Sequence, residues 1–288
     1  MAHDALRQSN SEGEEVLDLN FCAECGTESY LDNLQCDGYC ILSSFLRRHH
    51  LEEIRDAFDS RMQHLLADNM EVDLGVNWSE TSAEPFLRTL LDERLLRLLG
   101  EICGLPFVAM RLELFEKMPG SKTIIPWHQD TYTTHVGFKW TAEDAAAGAR
   151  PHPITLWVAL DDATAETGGM QMVPGRHHEL IGGVVPPLAI LDAAVHGEAF
   201  EYKLAPGQAG LHHPLTPHRS LPNLSRHRRR AFLVRFVPWS ASLERSRSHE
   251  LRTWSSRPCG HFQWQAFDEA SLAPGRSLNR LLVCSKTE

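Results

Sequence analysis

The chain has no stretch of the roughly 18–20 apolar residues that a membrane-spanning helix needs. Residues 1–18 are polar and acidic, without the apolar segment of a secretory signal. A basic excess is also missing, because 38 acidic residues outnumber 28 lysines and arginines and give a formal net charge of -10. We therefore expect no membrane segment, no secretion and no nucleic-acid partner, since nucleic-acid binding needs basic charge to neutralise phosphates.

Cysteine is scarce: the 288 residues include seven, an odd number in a chain large enough to fold without disulfides. We interpret them as reduced thiols, which predicts a cytoplasmic location. Four of them leave an alternative open, because their C-x2-C and C-x3-C spacing could form a zinc site; these are Cys22, Cys25, Cys36 and Cys40. The alternation over residues 34–42 instead predicts a buried strand that contains the last two.

Helical periodicity comes early in the chain. Apolar residues recur at three- and four-residue steps after residue 44, and residues 85–99 predict a second helix that ends at Gly100. The period then changes to two, which predicts short strands at residues 108–114, 124–130, 154–161, 170–173 and 231–237. Helices followed by many short strands indicate one α+β domain, mainly β, with a sandwich or barrel core.

Composition divides the chain into three parts. Residues 1–28 are unpatterned and predict a polar N-terminal tail, residues 29–240 contain the helices and strands of the domain, and residues 241–288 form a C-terminal extension that we expect to pack on it. Residues 131–153 are long for a connection in a compact domain, which favours a lid or a substrate loop.

Two histidines and an aspartate suggest a metal site. His128 and Asp130 stand two apart in a predicted strand, so both side chains point to the same face. His218 would complete a set of two imidazoles and one carboxylate, the facial triad that suits non-heme Fe(II) and leaves open coordination positions. The spacing alone is a weak signal, because a His-x-Asp pair is common by chance.

The residues around these three strengthen the signal. His128-Gln-Asp130 is followed by residues 155–162 (TLWVALDD), 168–177 (GGMQMVPGRH), 218–225 (HRSLPNLS) and 229–231 (RRA). These motifs and their order resemble the phytanoyl-CoA dioxygenase family over residues 31–239. The resemblance implies a double-stranded β-helix (jelly-roll, cupin-like) with flanking N-terminal helices, and an oxygenase that uses Fe(II), 2-oxoglutarate and O₂. It also implies that His128, Asp130 and His218 hold the iron, and that Arg229, helped by Ser220, binds the far carboxylate of 2-oxoglutarate.

The basic run at residues 226–230 contains several arginines, and periodicity alone does not show which of them would bind the far carboxylate of 2-oxoglutarate. Strand alternation puts Arg230 with Phe232 and Phe236, and puts Arg229 with Ala231, Leu233 and Arg235. The family's motif has its arginine two residues before the alanine, which selects Arg229. The planar guanidinium can bind a carboxylate through two parallel hydrogen bonds. The strand face that contains Arg229 has small and polar residues, which suit a cosubstrate pocket.

The resemblance predicts hydroxylation of an unactivated carbon of a small molecule, with release of succinate and CO₂. The carboxylate of Asp130 favours hydroxylation over halogenation, because related halogenases bind chloride in its place; desaturation and ring chemistry stay open. Two alternatives are a jelly-roll protein that binds metal without turnover and a cupin-like enzyme that uses its metal as a Lewis acid. We expect four residues to line the substrate pocket and to favour an anionic substrate: His135, Lys139, Trp140 and Arg176.

Overall fold

The computed structural model describes residues 27–62, 72–76, 84–130, 151–179, 181, 198–239, 252–259, 262–268 and 280–286. The helices in these ranges are α1 (Thr27–Asp37), α2 (Arg48–Met62), α3 (Glu84–Thr89) and α4 (Glu93–Cys103). None of these helices is long and apolar enough to cross a membrane. The strands before residue 200 are β1 (Tyr39–Leu42), β2 (Val72–Val76), β3 (Phe107–Lys117), β4 (Ile125–His128), β5 (Ile154–Ala159) and β6 (Met170–Met172). The later strands are β7 (Phe200–Tyr202), β8 (Ala209–His212), β9 (His218–Ser220), β10 (Arg229–Pro238), β11 (Arg252–Cys259), β12 (Phe262–Asp268) and β13 (Arg280–Lys286).

The described strands form two antiparallel sheets. The larger sheet has the order β1-β8-β5-β10-β3-β13-β12-β11, and β2 also pairs with β3. The smaller sheet has the order β4-β9-β6-β7. Neighbours in each sheet are mostly distant in sequence, so the chain crosses repeatedly between sheets. The fold is therefore mainly β with a few helices, as the sequence predicts at that level.

Alternate residues of β10 fill two different cores. Phe232, Val234 and Phe236 belong to the first core, which lies between the helices and one face of the larger sheet. Ala231 and Leu233 belong to the second core, which lies between the two sheets and includes Met170, Met172 and Tyr202 from the smaller one. Because strand side chains alternate between faces, one apolar strand can support both layers. The helices thus pack on one face of the larger sheet, and its other face packs on the smaller sheet.

Two predicted elements are wrong in their limits. Residues 34–37 belong to α1 instead of a strand, and β1 begins only after Gly38, whose φ of 79° lets the chain reverse direction there. Residues 85–99 form two helices instead of one. Asp92 begins the second, because its carboxylate accepts hydrogen bonds from the backbone N–H groups of Arg94 and Leu95.

The strand that carries the first predicted ligand is shorter than expected. It ends at His128, so Asp130 lies just beyond it and not within a regular strand. The C-terminal region, which sequence patterns left unassigned, contributes β11, β12 and β13. Strand β13 pairs with β3, so these strands extend the larger sheet. The predicted N-terminal tail falls almost entirely outside the described residues.

Candidate metal centre

Two neighbouring strands of the smaller sheet bring the predicted ligands together. His128, the last residue of β4, is the register partner of His218, the first residue of β9. Asp130 follows, and its backbone N–H donates to the carbonyl of Pro214 at 2.8 Å, which ties it to the loop before β9. One ligand atom from each of the three side chains lies within 4.8 Å of the other two. The three side chains therefore converge at one point.

Backbone carbonyls fix the tautomer of both imidazoles. Nδ1 of His128 lies 2.8 Å from the carbonyl oxygen of Pro126, and Nδ1 of His218 lies 2.8 Å from that of Thr216. A carbonyl can only accept, so each Nδ1 must carry the proton. Each Nε2 then keeps its lone pair, and Nε2 of His128 lies 3.8 Å from Oδ1 of Asp130. This arrangement is typical of metal-ligating histidines.

Electrostatics favour the protonation states that bind metal. Burial, together with the neighbouring His128, lowers the pKa of His218 to about 3. Burial would raise the pKa of Asp130, but Arg235 and the surrounding imidazoles outweigh it and hold that pKa well below its usual range. Near neutral pH His218 is thus a neutral imidazole and Asp130 an ionised carboxylate, and together with the His128 imidazole they form a donor set that fits Fe(II).

A pocket opens beside this triad. Its wall includes Ser220 and the guanidinium-bearing Arg229, which is almost fully buried. Nη2 of Arg229 donates to the carbonyl of Gly168 at 3.0 Å, and the guanidinium carbon lies 5.8 Å from the ring centroid of Trp157. The apolar part of the wall comprises Phe115, Ile125, Trp157, Met170 and Leu233. The Arg229 guanidinium therefore lies beside the three predicted ligands, next to apolar side chains.

The two neighbouring arginines point elsewhere. Arg228 donates to Glu116 at 2.6 Å, and Arg230 forms ion pairs with Asp161 at 2.8 Å and Asp59 at 2.9 Å. Neither lines the pocket around the triad. The three consecutive arginines thus divide between structural ion pairs and the pocket.

Four further residues lie near this site, and sequence patterns gave a role to one of them, His212, as a less favoured alternative to His218 as metal ligand. His212, Arg219 and Arg235 line the pocket, and Lys117 lies behind Ser220. Burial lowers the pKa of His212 to about 4, so it is neutral near pH 7. Arg235 could have been found from the sequence, because alternation puts it on the face of Arg229. Lys117 reaches the site through a contact between segments far apart in the chain, whereas Arg219 lies between His218 and Ser220 in β9.

The predicted substrate contacts stay predictions. Arg176 pairs with Glu179 at 2.9 Å and does not line the pocket around the triad. His135, Lys139 and Trp140 lie outside the described residues. The zinc alternative also stays open, since two of its four cysteines lie outside those residues; within them, Cys36 is exposed, whereas burial raises the pKa of the Cys40 thiol to about 12.

A model of one protein family matches most of the domain. It is the phytanoyl-CoA dioxygenase (PhyH) family, and the match covers residues 34–231. The chain belongs to the phytanoyl-CoA dioxygenase family. The family is named for a dioxygenase, which agrees with the class of reaction that the sequence motifs predict.

Individual relatives are more distant. Dioxygenase lolE1 of Epichloe uncinata is 29% identical over 148 residues, which cover 51% of this chain and 52% of the relative. The chain thus matches about half the length of this curated relative. AviO1 of Streptomyces viridochromogenes Tue57 shares 18% identity at a TM-score of 0.57, over 76% of this chain and 98% of AviO1.

A second structural neighbour was solved with its cofactors. The epimerase SnoN from nogalamycin biosynthesis, in complex with Fe³⁺, α-ketoglutarate and nogalamycin RO, shares 21% identity at a TM-score of 0.57. The match covers 74% of this chain and 83% of SnoN. At such identities the likeness of AviO1 and SnoN to this chain concerns the fold alone.

Proposed function

We propose that this protein is an Fe(II)- and 2-oxoglutarate-dependent dioxygenase that hydroxylates an unactivated carbon of a small molecule. We also propose that residues 29–240 form its catalytic domain, a double-stranded β-helix, and that residues 241–288 pack on that domain. The observation that supports the function is the pocket itself, where His128, Asp130 and His218 lie beside Ser220 and Arg229. These five residues come from three segments of the chain, and the proposal assigns to them the binding of iron and 2-oxoglutarate.

The iron ligands in this proposal are the two imidazole Nε2 atoms and the Asp130 carboxylate. When bound, Fe(II) and 2-oxoglutarate supply the oxidative chemistry, in which O₂ converts the cosubstrate to succinate and CO₂ and places one oxygen atom in a C–H bond of the substrate. The chain contributes orientation, because backbone carbonyls fix both imidazoles and Pro214 fixes the backbone of Asp130. These contacts reduce the reorganisation needed when metal binds.

Arg229 is the proposed partner of the far carboxylate of 2-oxoglutarate. Its guanidinium is buried, is oriented by the carbonyl of Gly168 and lies near Trp157, so it presents its fork in one direction. Ser220 lies in the same wall. The apolar residues around them limit water, which strengthens the attraction between guanidinium and carboxylate.

The substrate is proposed to be a small molecule bound at the open side of the pocket. SnoN, a neighbour with the same fold, was solved with nogalamycin RO, which supports this class of ligand. We keep His135, Lys139, Trp140 and Arg176 as proposed contacts and an anionic group as their target. We propose a cytoplasmic location, consistent with free thiols at Cys36, Cys40, Cys103 and Cys284, and neither a nucleic-acid nor a membrane partner.

Calorimetric titration of 2-oxoglutarate into the anaerobic Fe(II) protein tests the proposal. We expect Arg229→Met to weaken binding roughly 10- to 150-fold, because it removes hydrogen bonds between two charged groups. Arg226→Met is the matched control, since Arg226 is exposed in the same basic run. The control variant should bind as the unaltered protein does.

The result also separates the alternatives. A metal-binding jelly-roll without turnover, or an enzyme that uses its metal as a Lewis acid, has no need of a carboxylate site at Arg229. Equal affinities in the unaltered protein and in Arg229→Met would remove the cosubstrate from this pocket and leave those alternatives in its place.

A further inference from the structure

Lys117, the last residue of β3, is completely buried behind the pocket wall. It is the register partner of Arg229 on β10. Its ammonium donates to the Ser220 hydroxyl oxygen at 2.7 Å, and also to the carbonyls of Leu221 at 2.6 Å and Thr123 at 3.1 Å. Each of the three N–H donors of an ammonium thus has an oxygen acceptor. Lysine is rarely so buried, and this geometry gives the charge a fixed position.

The contacts of Ser220 determine where its proton can go. Its Oγ accepts from Lys117 Nζ and, at 3.3 Å, from the backbone N–H of Ile125. A hydroxyl has two lone pairs and one proton. With both lone pairs engaged, the hydroxyl can add a further hydrogen bond only as a donor. Since Ser220 lines the pocket beside Arg229, the pocket is where that donor can find an acceptor.

Gly168 contacts both Lys117 and Arg229. It has a φ of 82°, and a Cβ at this position would lie 2.9 Å from Cδ of Lys117 and 2.8 Å from the carbonyl oxygen of Leu221. Its own carbonyl accepts from Arg229. The Asn223 side chain also donates to the backbone carbonyl of Lys117 at 3.0 Å. The position of Lys117 is therefore fixed from several sides.

We propose that Lys117 is a positioning residue for the far carboxylate of 2-oxoglutarate. It makes Ser220 an obligatory donor toward the pocket and adds a positive charge behind that hydroxyl. The carboxylate then meets Arg229 on one side and the Ser220 O–H on the other, so the site selects a five-carbon dicarboxylate over a monocarboxylate. The inference rests on the proposed function, because it concerns the same cosubstrate.

The test compares two ligands that differ only at the far end. 2-Oxopentanoate has the chain length of 2-oxoglutarate but a methyl group in place of the far carboxylate. We would measure the dissociation constants of both for the anaerobic Fe(II) protein by calorimetry. Lys117→Met should raise the dissociation constant of 2-oxoglutarate about tenfold, which corresponds to the loss of one charge-assisted hydrogen bond. It should leave the dissociation constant of 2-oxopentanoate unchanged. Lys122→Met, an exposed lysine in the adjacent turn, is the control.

Ser220→Ala provides the test of mechanism. If Lys117 acts through the hydroxyl, adding Lys117→Met to Ser220→Ala should cost less 2-oxoglutarate affinity than Lys117→Met costs alone. Full additivity of the two losses would overturn the proposed route. So would an unchanged affinity in Lys117→Met, or an equal loss for both ligands.

Failure of the inference can be distinguished from failure of the proposed function. If the unaltered protein prefers 2-oxoglutarate and Lys117→Met keeps that preference, only the inference is overturned. If the unaltered protein binds both ligands equally, the far-carboxylate site itself is wrong and both proposals fall.

A buried lysine can also be needed for folding, so a second variant and a second measurement are included. Lys117→Gln removes the charge and keeps an N–H donor, and its thermal unfolding is compared with that of Lys117→Met. If neither variant folds, an anaerobic crystal structure of the unaltered protein with 2-oxoglutarate decides. A Ser220 Oγ within about 3.0 Å of a carboxylate oxygen supports the inference, whereas a Ser220 turned away from the ligand overturns it.

Discussion

At the scale of single residues, three adjacent arginines have two different environments. Arg228 and Arg230 point toward acidic side chains, and Arg229 points into the pocket. Strand alternation predicts that the middle arginine faces away from the other two, but it cannot tell which face holds a cosubstrate. The motif resemblance supplied that choice, and the role of Arg229 stays a proposal.

Arg230 provides a prediction about stability at this scale. Burial would raise the pKa of Asp161, but the hydrogen bonds and charge of Arg230 outweigh it and hold that pKa below its usual value. Arg230→Met should therefore lower the free energy of unfolding by about 3 kcal/mol, because it leaves a partly buried carboxylate with weaker compensation. Urea denaturation at neutral pH measures this change. Arg226→Met should shift stability by less than about 0.5 kcal/mol, and equal effects of the two variants would contradict the account.

At the scale of elements, the helices show what periodicity can and cannot reveal. The steps between Leu51, Ile54 and Phe58 predict α2, and these side chains are buried as expected. The leucines of residues 85–99 keep a helical spacing across the break between α3 and α4, so periodicity does not detect it. Only the capping carboxylate of Asp92 marks the new start.

Strands are harder to predict when their partners are remote. The apolar alternation of β3 and β10 identifies both, whereas the polar sequence of residues 252–286 gives little sign of β11, β12 and β13. Their pairing in sequence order next to β3 provides hydrogen bonds that local patterns do not reveal. Tertiary context decides strand formation there.

Gly210 gives the element-scale prediction. A Cβ at this position in β8 would lie 1.3 Å from Oη of Tyr202, whose buried ring lies between the two sheets. Gly210→Ala should therefore lower the free energy of unfolding by about 3 kcal/mol or more, because the core has no room for the added methyl group. Gly120→Ala is the control: nothing lies within 4 Å of its Cβ position, so only its positive φ costs about 1 kcal/mol.

Thermal and urea unfolding of both glycine variants measure the difference. Replacing Tyr202 with Leu in the Gly210→Ala background should recover part of the loss. Equal destabilisation by Gly210→Ala and Gly120→Ala would show that the two sheets can separate enough to accept a side chain.

At the scale of the whole molecule, the site depends on contacts between distant segments. Lys117 and Ser220 are 103 residues apart, and the backbone of Asp130 is held by Pro214. The sequence could predict that His128, Asp130 and His218 lie together, because local motifs mark them. It could not predict Lys117 as a neighbour of the site, because no local pattern records which strands pair.

Buried histidines make the stability of the whole fold sensitive to acid. Burial, with a smaller effect from His178, lowers the pKa of His177 to about 4, below the value near 6.5 of an unfolded chain. The unfolded state therefore binds this proton first, and stability falls as the pH drops below about 6.5. For His177 the loss reaches roughly 3 kcal/mol near pH 4.

Urea denaturation at several pH values between 7 and 4 measures this dependence. His177→Gln should flatten the curve, because glutamine does not titrate, and His49→Gln should not, because His49 is exposed. Curves of the same slope for His177→Gln and the unaltered protein would contradict the assignment.

The most direct test of the central proposal is the visible absorption spectrum of the anaerobic protein with Fe(II) and 2-oxoglutarate. We predict the weak charge-transfer band that forms when 2-oxoglutarate chelates Fe(II). The band should be lost in Asp130→Ala and should need higher 2-oxoglutarate concentrations in Arg229→Met, whereas Arg226→Met should match the unaltered protein. The absence of the band in unaltered protein that holds iron would contradict the account and favour a metal site without this cosubstrate.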